Sequence, residues 1–292
     1  MEKLIVGGQA VIEGVMMRGF GKAATAVREP DGKINVQVKN VNSIADKYSF
    51  LKFPFIRGSV NLFESLILGI KSLSFSAQAA GEEDEQLSDK EMAGTIIFAL
   101  GLACVLFIAI PTFAAKFLHT LTEEPIILNL VEGFLRLIIF FGYIFAISRM
   151  KEIQRVFQYH GAEHKTIFCY EADLPLTVEN VKKFPRLHPR CGTAFLLIVM
   201  IVSIFVFAFL GWPDLWLRIL SRIILLPVVA GIAYEIIKFA GRSKNSFVRL
   251  AIMPGLWLQY LTTREPDDSM IEVAIESLKA VTPQEFLSES RN

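Results

Sequence analysis

Long apolar runs alternate with charged loops along this chain, and the length of each run predicts its element. Thr95 to Ala115 (TIIFALGLACVLFIAIPTFAA) holds no charged residue. About 20 apolar residues in helical form cross the roughly 30 Å of a bilayer's hydrocarbon. Thr193 to Gly211 is equally free of charge. Ile126 to Ser148 is long enough but carries Glu132 and Arg136, four apart and so paired on one helix face. Leu215 to Ala240 carries Arg218 and Arg222 near one end and Glu235 near the other. Spans of about 95–115, 126–148, 193–211 and 215–240 are therefore expected.

Other patterns predict elements outside those spans. From Phe50 to Ala80, Arg57, Glu64 and Lys71 recur every seven residues among Leu, Ile and Phe. That gives one polar stripe, hence an amphipathic helix in the membrane surface or against the bundle, with a re-entrant segment as the rival. Val248 to Thr263 carries Trp257 and Tyr260, which suit an interfacial anchor. Ala23–Arg28 and Lys33–Val38 flank Pro30-Asp31-Gly32, a turn signature, so residues 1–48 read as a small β-rich unit. Residues 49–93 then hold the amphipathic helix and a solvated acidic linker at Glu82–Glu85. Residues 94–265 form the membrane domain. In 266–292, Asp267 and Asp268 cap a docking helix with Met270, Ile271, Ala274, Ile275 and Leu278 on one face.

Composition supports the same class. Hydrophobic residues are 53% and charged residues 20% of the chain, with a mean hydropathy of +0.46. A disordered chain or an ordinary soluble domain does not fit these values. The fold class expected is mainly α: a polytopic helical membrane protein with about four transmembrane helices. Lys plus Arg (30) nearly cancels Asp plus Glu (29), so no basic field points to nucleic acid. An odd count of three Cys excludes a disulfide scaffold. No cleavable secretory signal is expected, because the first apolar run is not N-terminal. Eleven Lys or Arg precede the first span, one lies between spans one and two, and eight lie from Arg149 to Arg190. None separates span three from Arg218, and basic residues return after span four. By the positive-inside rule, both termini and the 149–192 loop face the cytoplasm.

That loop carries the chemistry. It holds three of the four His and two of the three Cys. His160-Gly-Ala-Glu163-His164 has the H-x-x-E-H order, which on a helix puts both imidazoles on one face, one turn apart. That spacing lets them share a metal, with Glu163 beside them as the general base. His188 and Cys191 supply further ligands, and imidazole with thiolate favours zinc or a similar borderline metal over magnesium. Four protein ligands would make a closed structural site, whereas three would leave a position for water. The bland reading is that these His are merely polar groups facing headgroups or water. Glu235 is another ligand candidate, weighed against a plain pairing with Lys238 or Arg242. Cys104 and Cys169 read as buried packing residues, and His119 as a solvated side chain in an outer loop.

Gly7-Gly-Gln9-Ala-Val-Ile-Glu13-Gly14-Val-Met-Met-Arg18-Gly19 fits no nucleotide-binding loop. Its Gln9, Glu13 and Arg18 line a pocket, or the glycines simply make a tight turn packed on the helices. This segment, Tyr159-His-Gly-Ala-Glu-His-Lys165, Phe184-Pro-Arg-Leu-His-Pro-Arg-Cys-Gly-Thr193 and Thr262-Thr-Arg-Glu-Pro-Asp-Asp268 together resemble the YqhQ family of bacterial membrane proteins. The resemblance spans nearly the whole chain. It implies a bacterial plasma-membrane protein, labelled in the family as a predicted metal-dependent enzyme on the same His and Cys residues.

The expectation is a zinc-type hydrolase at the cytoplasmic membrane face. His160, His164, His188 and Cys191 are its metal ligands and Glu163 its base. The bilayer is its environment, and its substrate is lipid-linked, a membrane protein or a small cytoplasmic molecule. The alternatives are a non-catalytic scaffold or assembly factor with a structural metal site, and a transporter with a path through Glu132, Arg136, Arg222 and Glu235. Four spans without a repeat weigh against the transporter.

Overall fold

The computed structural model describes residues 6–81, 88–118, 122–242 and 246–287. His119 and the Glu82–Glu85 run lie outside the described residues. The chain opens with an antiparallel meander: β1 (Gly7–Val11), β2 (Gly14–Gly19), β3 (Lys22–Arg28) and β4 (Ile34–Asn40), paired in sequence order. Turn chemistry sets the register. Phe20 and Gly21, both at positive φ, join β2 to β3 so that Gly19 pairs with Lys22. Gly32, at φ +87°, closes the β3–β4 turn where the Pro-Asp-Gly signature predicts one.

A short helix α1 (Ile44–Lys47) leads into α2 (Ile56–Ala80), the helix anticipated from the Arg57, Glu64 and Lys71 stripe. Its polar residues serve packing. Arg57 grips both oxygens of Glu235 at 2.7 and 2.5 Å, while Glu64 accepts from Arg18 at 3.2 Å and from Ser43 at 2.8 Å. Lys71 alone is exposed. Glu235 is thus the partner of Arg57, a cation far away in sequence.

Next come α3 (Asp89–Cys104), a π-helical segment (Val105–Ala109) and α4 (Ile110–Leu118), which run on from one another. Pro111 has no N–H to give the carbonyl of Phe107, one α-turn back, so the regular ladder cannot continue there. Arg136 Nε donates to that carbonyl instead, at 2.7 Å. Cys104 is exposed, contrary to the packing role expected of it, because this helix has no packed face at that level.

The remaining helices are α5 (Pro125–Ile147), α6 (Lys151–Glu171), α7 (Val178–Lys182), α8 (Gly192–Ala208), α9 (Leu215–Arg242), α10 (Ser246–Thr262) and α11 (Asp268–Val281). Among the described residues, three helical stretches, Lys90–Phe117, Pro125–Ile147 and Leu215–Ala240, are long and apolar enough to cross a membrane; Gly192–Ala208 is apolar but shorter. Trp257 and Tyr260 on α10 are both 59% exposed.

One hydrophobic core joins the sheet to the polar helices. Val15 and Met17 of β2 and Ala24 and Ala26 of β3 share a face with Tyr159, Ala162 and Ile167 of α6. Met270, Ile271, Ala274, Ile275 and Leu278 of α11 enter the same core, and Asp267 caps that helix by accepting from Met270 N–H at 3.0 Å. The opposite face of the sheet meets α2, where Thr25 donates to Ser72 at 3.1 Å. Because both faces are covered, β2 and β3 are buried almost throughout rather than alternating.

Candidate metal centre

Helix α6 presents His160, Glu163 and His164 from neighbouring turns, and three other segments come to meet them. The first is the end of α10. A Cβ on Gly161 would lie 2.1 Å from the carbonyl oxygen of Arg264, so only glycine lets this segment lie against α6. Arg264 N–H donates to the Phe157 carbonyl at 2.8 Å. That contact brings the Thr262 carbonyl to His160 Nδ1, at 2.8 Å.

The second is the loop before α8. The Arg186 carbonyl accepts from His164 Nδ1 at 2.5 Å. Gln259, fully buried on α10, holds this loop through His188: its Nε2 donates to the His188 carbonyl and its Oε1 accepts from His188 N–H, both at 2.8 Å. Cys191 ends the loop as N-cap of α8. The third is β1. Its Gly8 lies against the Glu163 carboxylate, which a Cβ on Gly8 would meet at 2.9 Å.

The result is a convergent donor set. With each Nδ1–H given to a carbonyl, both imidazoles keep an unprotonated Nε2, the tautomer usual for metal-bound histidine. His160 Nε2 lies 3.1 Å from Cys191 Sγ. One ligand atom from each of His160, His164 and Cys191 falls within 4.8 Å of the other two. Two imidazoles and a thiol are donor types that suit a zinc-type ion, which in tetrahedral form, with bonds of about 2.0–2.3 Å, needs ligand atoms roughly 3.5 Å apart.

Glu163 and His188 flank that triad. Glu163 Oε2 is 3.9 Å from His160 Nε2. Burial pushes the Glu163 carboxyl above its usual range; nearby His160 and His188 and the Gly8 N–H pull the other way. His188 sits beside the three convergent ligands rather than among them, its ring 5.5 Å from that of His164 and 4.5 Å from that of Phe168. Its Nδ1 accepts from Arg190 N–H at 3.3 Å, and its buried Nε2 makes no hydrogen bond among the described residues. Glu171 Oε2 is 3.8 Å from that nitrogen, while Glu171 itself pairs with Arg190. Burial lowers the His164 and His188 pKa values, which favours the neutral, ligand-competent imidazole.

The roles of Gln259 and Thr262 have no place in a reading of motif residues, although Thr262 opens one of the four motif segments. Gln259 gives a signal, a lone amide inside the apolar run Leu256 to Leu261. Thr262 gives none, because it acts through its backbone. The Gly7–Gly19 segment forms a clamp rather than a pocket. Gln9 rests on Gly69 of α2, Glu13 binds Arg155 of α6 at 2.6 and 2.5 Å, and Arg18 reaches Glu64.

Residues 53–284 match the family model described as protein of unknown function DUF1385. A relative, the "uncharacterized protein YqhQ" of Bacillus subtilis (strain 168), is 40% identical over 299 residues, covering 97% of this chain and 94% of its own. No solved structure matches.

Proposed function

Since the chain belongs to the DUF1385 family, whose description assigns no activity, we propose from its site that it is a membrane-inserted, metal-dependent hydrolase. The carrying observation is the convergence of His160, His164 and Cys191 with Glu163 buried beside them. His160, His164 and Cys191 hold a zinc-type divalent ion, and His188 offers a neighbouring donor through its unpaired Nε2. When bound, such an ion supplies Lewis acidity to an oxygen of the scissile group.

The chain's own residues do the rest. Glu163 takes a proton from the attacking water and passes it to the leaving group, ending as it began. Its burial raises its basicity toward what that exchange needs near neutral pH. The Thr262 and Arg186 carbonyls hold the imidazoles in one tautomer, and Gln259 fixes the His188 loop.

The apolar helices support insertion in a bacterial plasma membrane, and the distribution of Lys and Arg supports a cytoplasmic face for the site. Because α5 ends at Ile147 and α8 begins at Gly192, the centre lies next to apolar helix ends on one side. That position suits a lipid-linked or membrane-protein substrate.

The cover that β1 gives Glu163 favours a second reading, a closed structural ion that ties α6 to α10 and α8 in a scaffold. Elemental analysis of detergent-purified protein tests both. About one metal per chain in the wild type, lost in His164→Ala and kept in Glu163→Gln, fits the hydrolase. A wild type without metal after supply of zinc or iron overturns both. A Glu163→Gln variant with full in-cell function leaves only the scaffold.

A further inference from the structure

Within the helical region, the largest buried side chains are charged. Arg218 and Arg222 of α9 are 2% and 1% exposed; Glu132 and Arg136 of α5 are 1% and 7% exposed. Spaced four apart, Arg218 and Arg222 share a helix face, as do Glu132 and Arg136. Arg136 Nη2 donates to Glu132 Oε1 at 2.8 Å, and Arg222 reaches Oε1 and Oε2 at 3.4 and 3.3 Å. Arg222 also donates to Asn129, Arg218 donates to the Thr112 carbonyl at 3.1 Å, and Thr112 Oγ1 donates to Glu132 at 3.1 Å.

The charges do not balance. Three guanidiniums face one carboxylate, and among the described residues no other acid pairs with them. Two positive charges therefore stay uncompensated in a site closed to solvent, which is costly. Arginine cannot escape the cost by losing its proton. Aromatic faces soften it: the Arg218 guanidinium lies 3.8 Å from the Trp212 ring and that of Arg222 4.6 Å from Phe207. They supply no negative charge. Hydrogen bonding is incomplete in the same sense, since Arg218 Nε and Arg222 Nη1 are buried donors with no partner among the described residues. Both deficits call for a group with negative charge and several acceptor oxygens.

We propose that Arg136, Arg218 and Arg222 form a receptor for a phosphate-type oxyanion, an inorganic phosphate or the phosphate headgroup of a lipid. Guanidinium forks match phosphate oxygens in pairs, and a phosphate carries up to two negative charges, the number the cluster lacks. The receptor is separate from the metal centre. Glu132 and Arg222 each lie seven residues, about 10 Å, into their helices from the ends at Pro125 and Leu215. Another 15 residues, about 22 Å of α5, separate Glu132 from Ile147, beyond which α6 carries the His residues. The receptor therefore lies toward the end of the bundle opposite the metal centre.

The test uses the full chain. Delipidated protein in detergent is titrated with radiolabelled inorganic phosphate. In parallel, its melting temperature is read in nanodiscs of phosphatidylcholine with and without phosphatidic acid. The wild type binds phosphate saturably or is stabilised by phosphatidic acid, and Arg218→Gln weakens that response about tenfold while its circular dichroism stays native. Arg218 is chosen because, among the described residues, its side chain makes one hydrogen bond and no ion pair with Glu132. Arg218→Lys, which keeps the charge, serves if the Gln variant does not fold, with a loss of a few-fold. A response to inorganic phosphate in detergent identifies a small-anion site, and a response only to phosphatidic acid identifies a lipid headgroup site. The proposal is overturned if the wild type responds to neither, if chloride acts as well as phosphate, or if folded Arg218→Gln responds like the wild type.

Discussion

The candidate metal centre and the arginine cluster are both buried and polar, and they solve burial differently. At the metal centre the polar side chains can be neutral: two imidazoles, a thiol and a carboxyl whose burial favours its protonated form. Backbone carbonyls and amides, held in place by Gly161, Gln259 and β1, fix the orientation of each. In the arginine cluster three guanidiniums are permanently charged, and they and Glu132 come from two helices, with side chains and aromatic rings around them. The first arrangement withholds charge until a ligand arrives. The second holds a surplus of charge that a ligand would neutralise. Backbone scaffolding tolerates little change in shape, and a charge cluster tolerates little change in its balance.

The largest effect follows from upsetting that balance. Glu132→Gln leaves three buried guanidiniums without their carboxylate and costs about 4 kcal/mol in unfolding. Metal content in the folded fraction stays at the wild-type level, because the two sites share no residue. Gly161→Ala does the reverse. Its methyl group collides with the Arg264 carbonyl, unfolding is easier by about 3 kcal/mol, and metal content falls because the Thr262 carbonyl leaves His160. Gly142→Ala, on α5 where a Cβ meets open space, is the control and shows neither loss. A metal content unchanged in Gly161→Ala would break the link between backbone fit and ligand orientation.

Gln259→Ala removes two buried hydrogen bonds to His188 and costs about 2 kcal/mol, read by thermal unfolding. Acidity separates the regions further. In chelated protein, His164 and His188 titrate below the unfolded value of 6.5, so their contribution is present above 6.5 and is lost as pH falls from there through the folded values. Glu163 has the opposite sign. Its pKa is raised above 4.5, so its contribution is present below 4.5 and is lost as pH rises through the folded value. Glu163→Gln should therefore remove the carboxyl's part of the slope and keep the histidine part in a melting series across pH. The smallest effect is expected from Arg155→Gln at the rim of the clamp, under about 1 kcal/mol, because that ion pair is largely solvated.

Much of the fold was legible because period and run length are local. The β3–β4 turn, the capped α11 with its five core residues and the three long apolar helices all follow from neighbours in sequence. The stripe on α2 was equally legible as a helix, but its partners were not. Arg57 finds Glu235 across 178 positions, and no pattern within either helix reports that. At the metal centre, His160, Glu163 and His164 were readable from one helical turn, and Cys191 from its scarcity and its place at a helix start. The separation of His188 from the triad was not, since only the path of the loop between α7 and α8 decides which ring faces which.

The sequence by itself determined the apolar helices, the sheet and the donor types, because side-chain period, turn chemistry and coordination preference belong to short stretches of chain. Tertiary structure alone decided how those donors are used. Gly8 and Gly161 look like ordinary small residues until another segment's backbone lies where a Cβ would be. Arg218 and Arg222, in an apolar run, look like two unpartnered cations until α9 packs on α4 and α5 beside Arg136 and Glu132. Close approach and net charge at a buried point are sums over segments distant in sequence, and they exist only once the chain has folded.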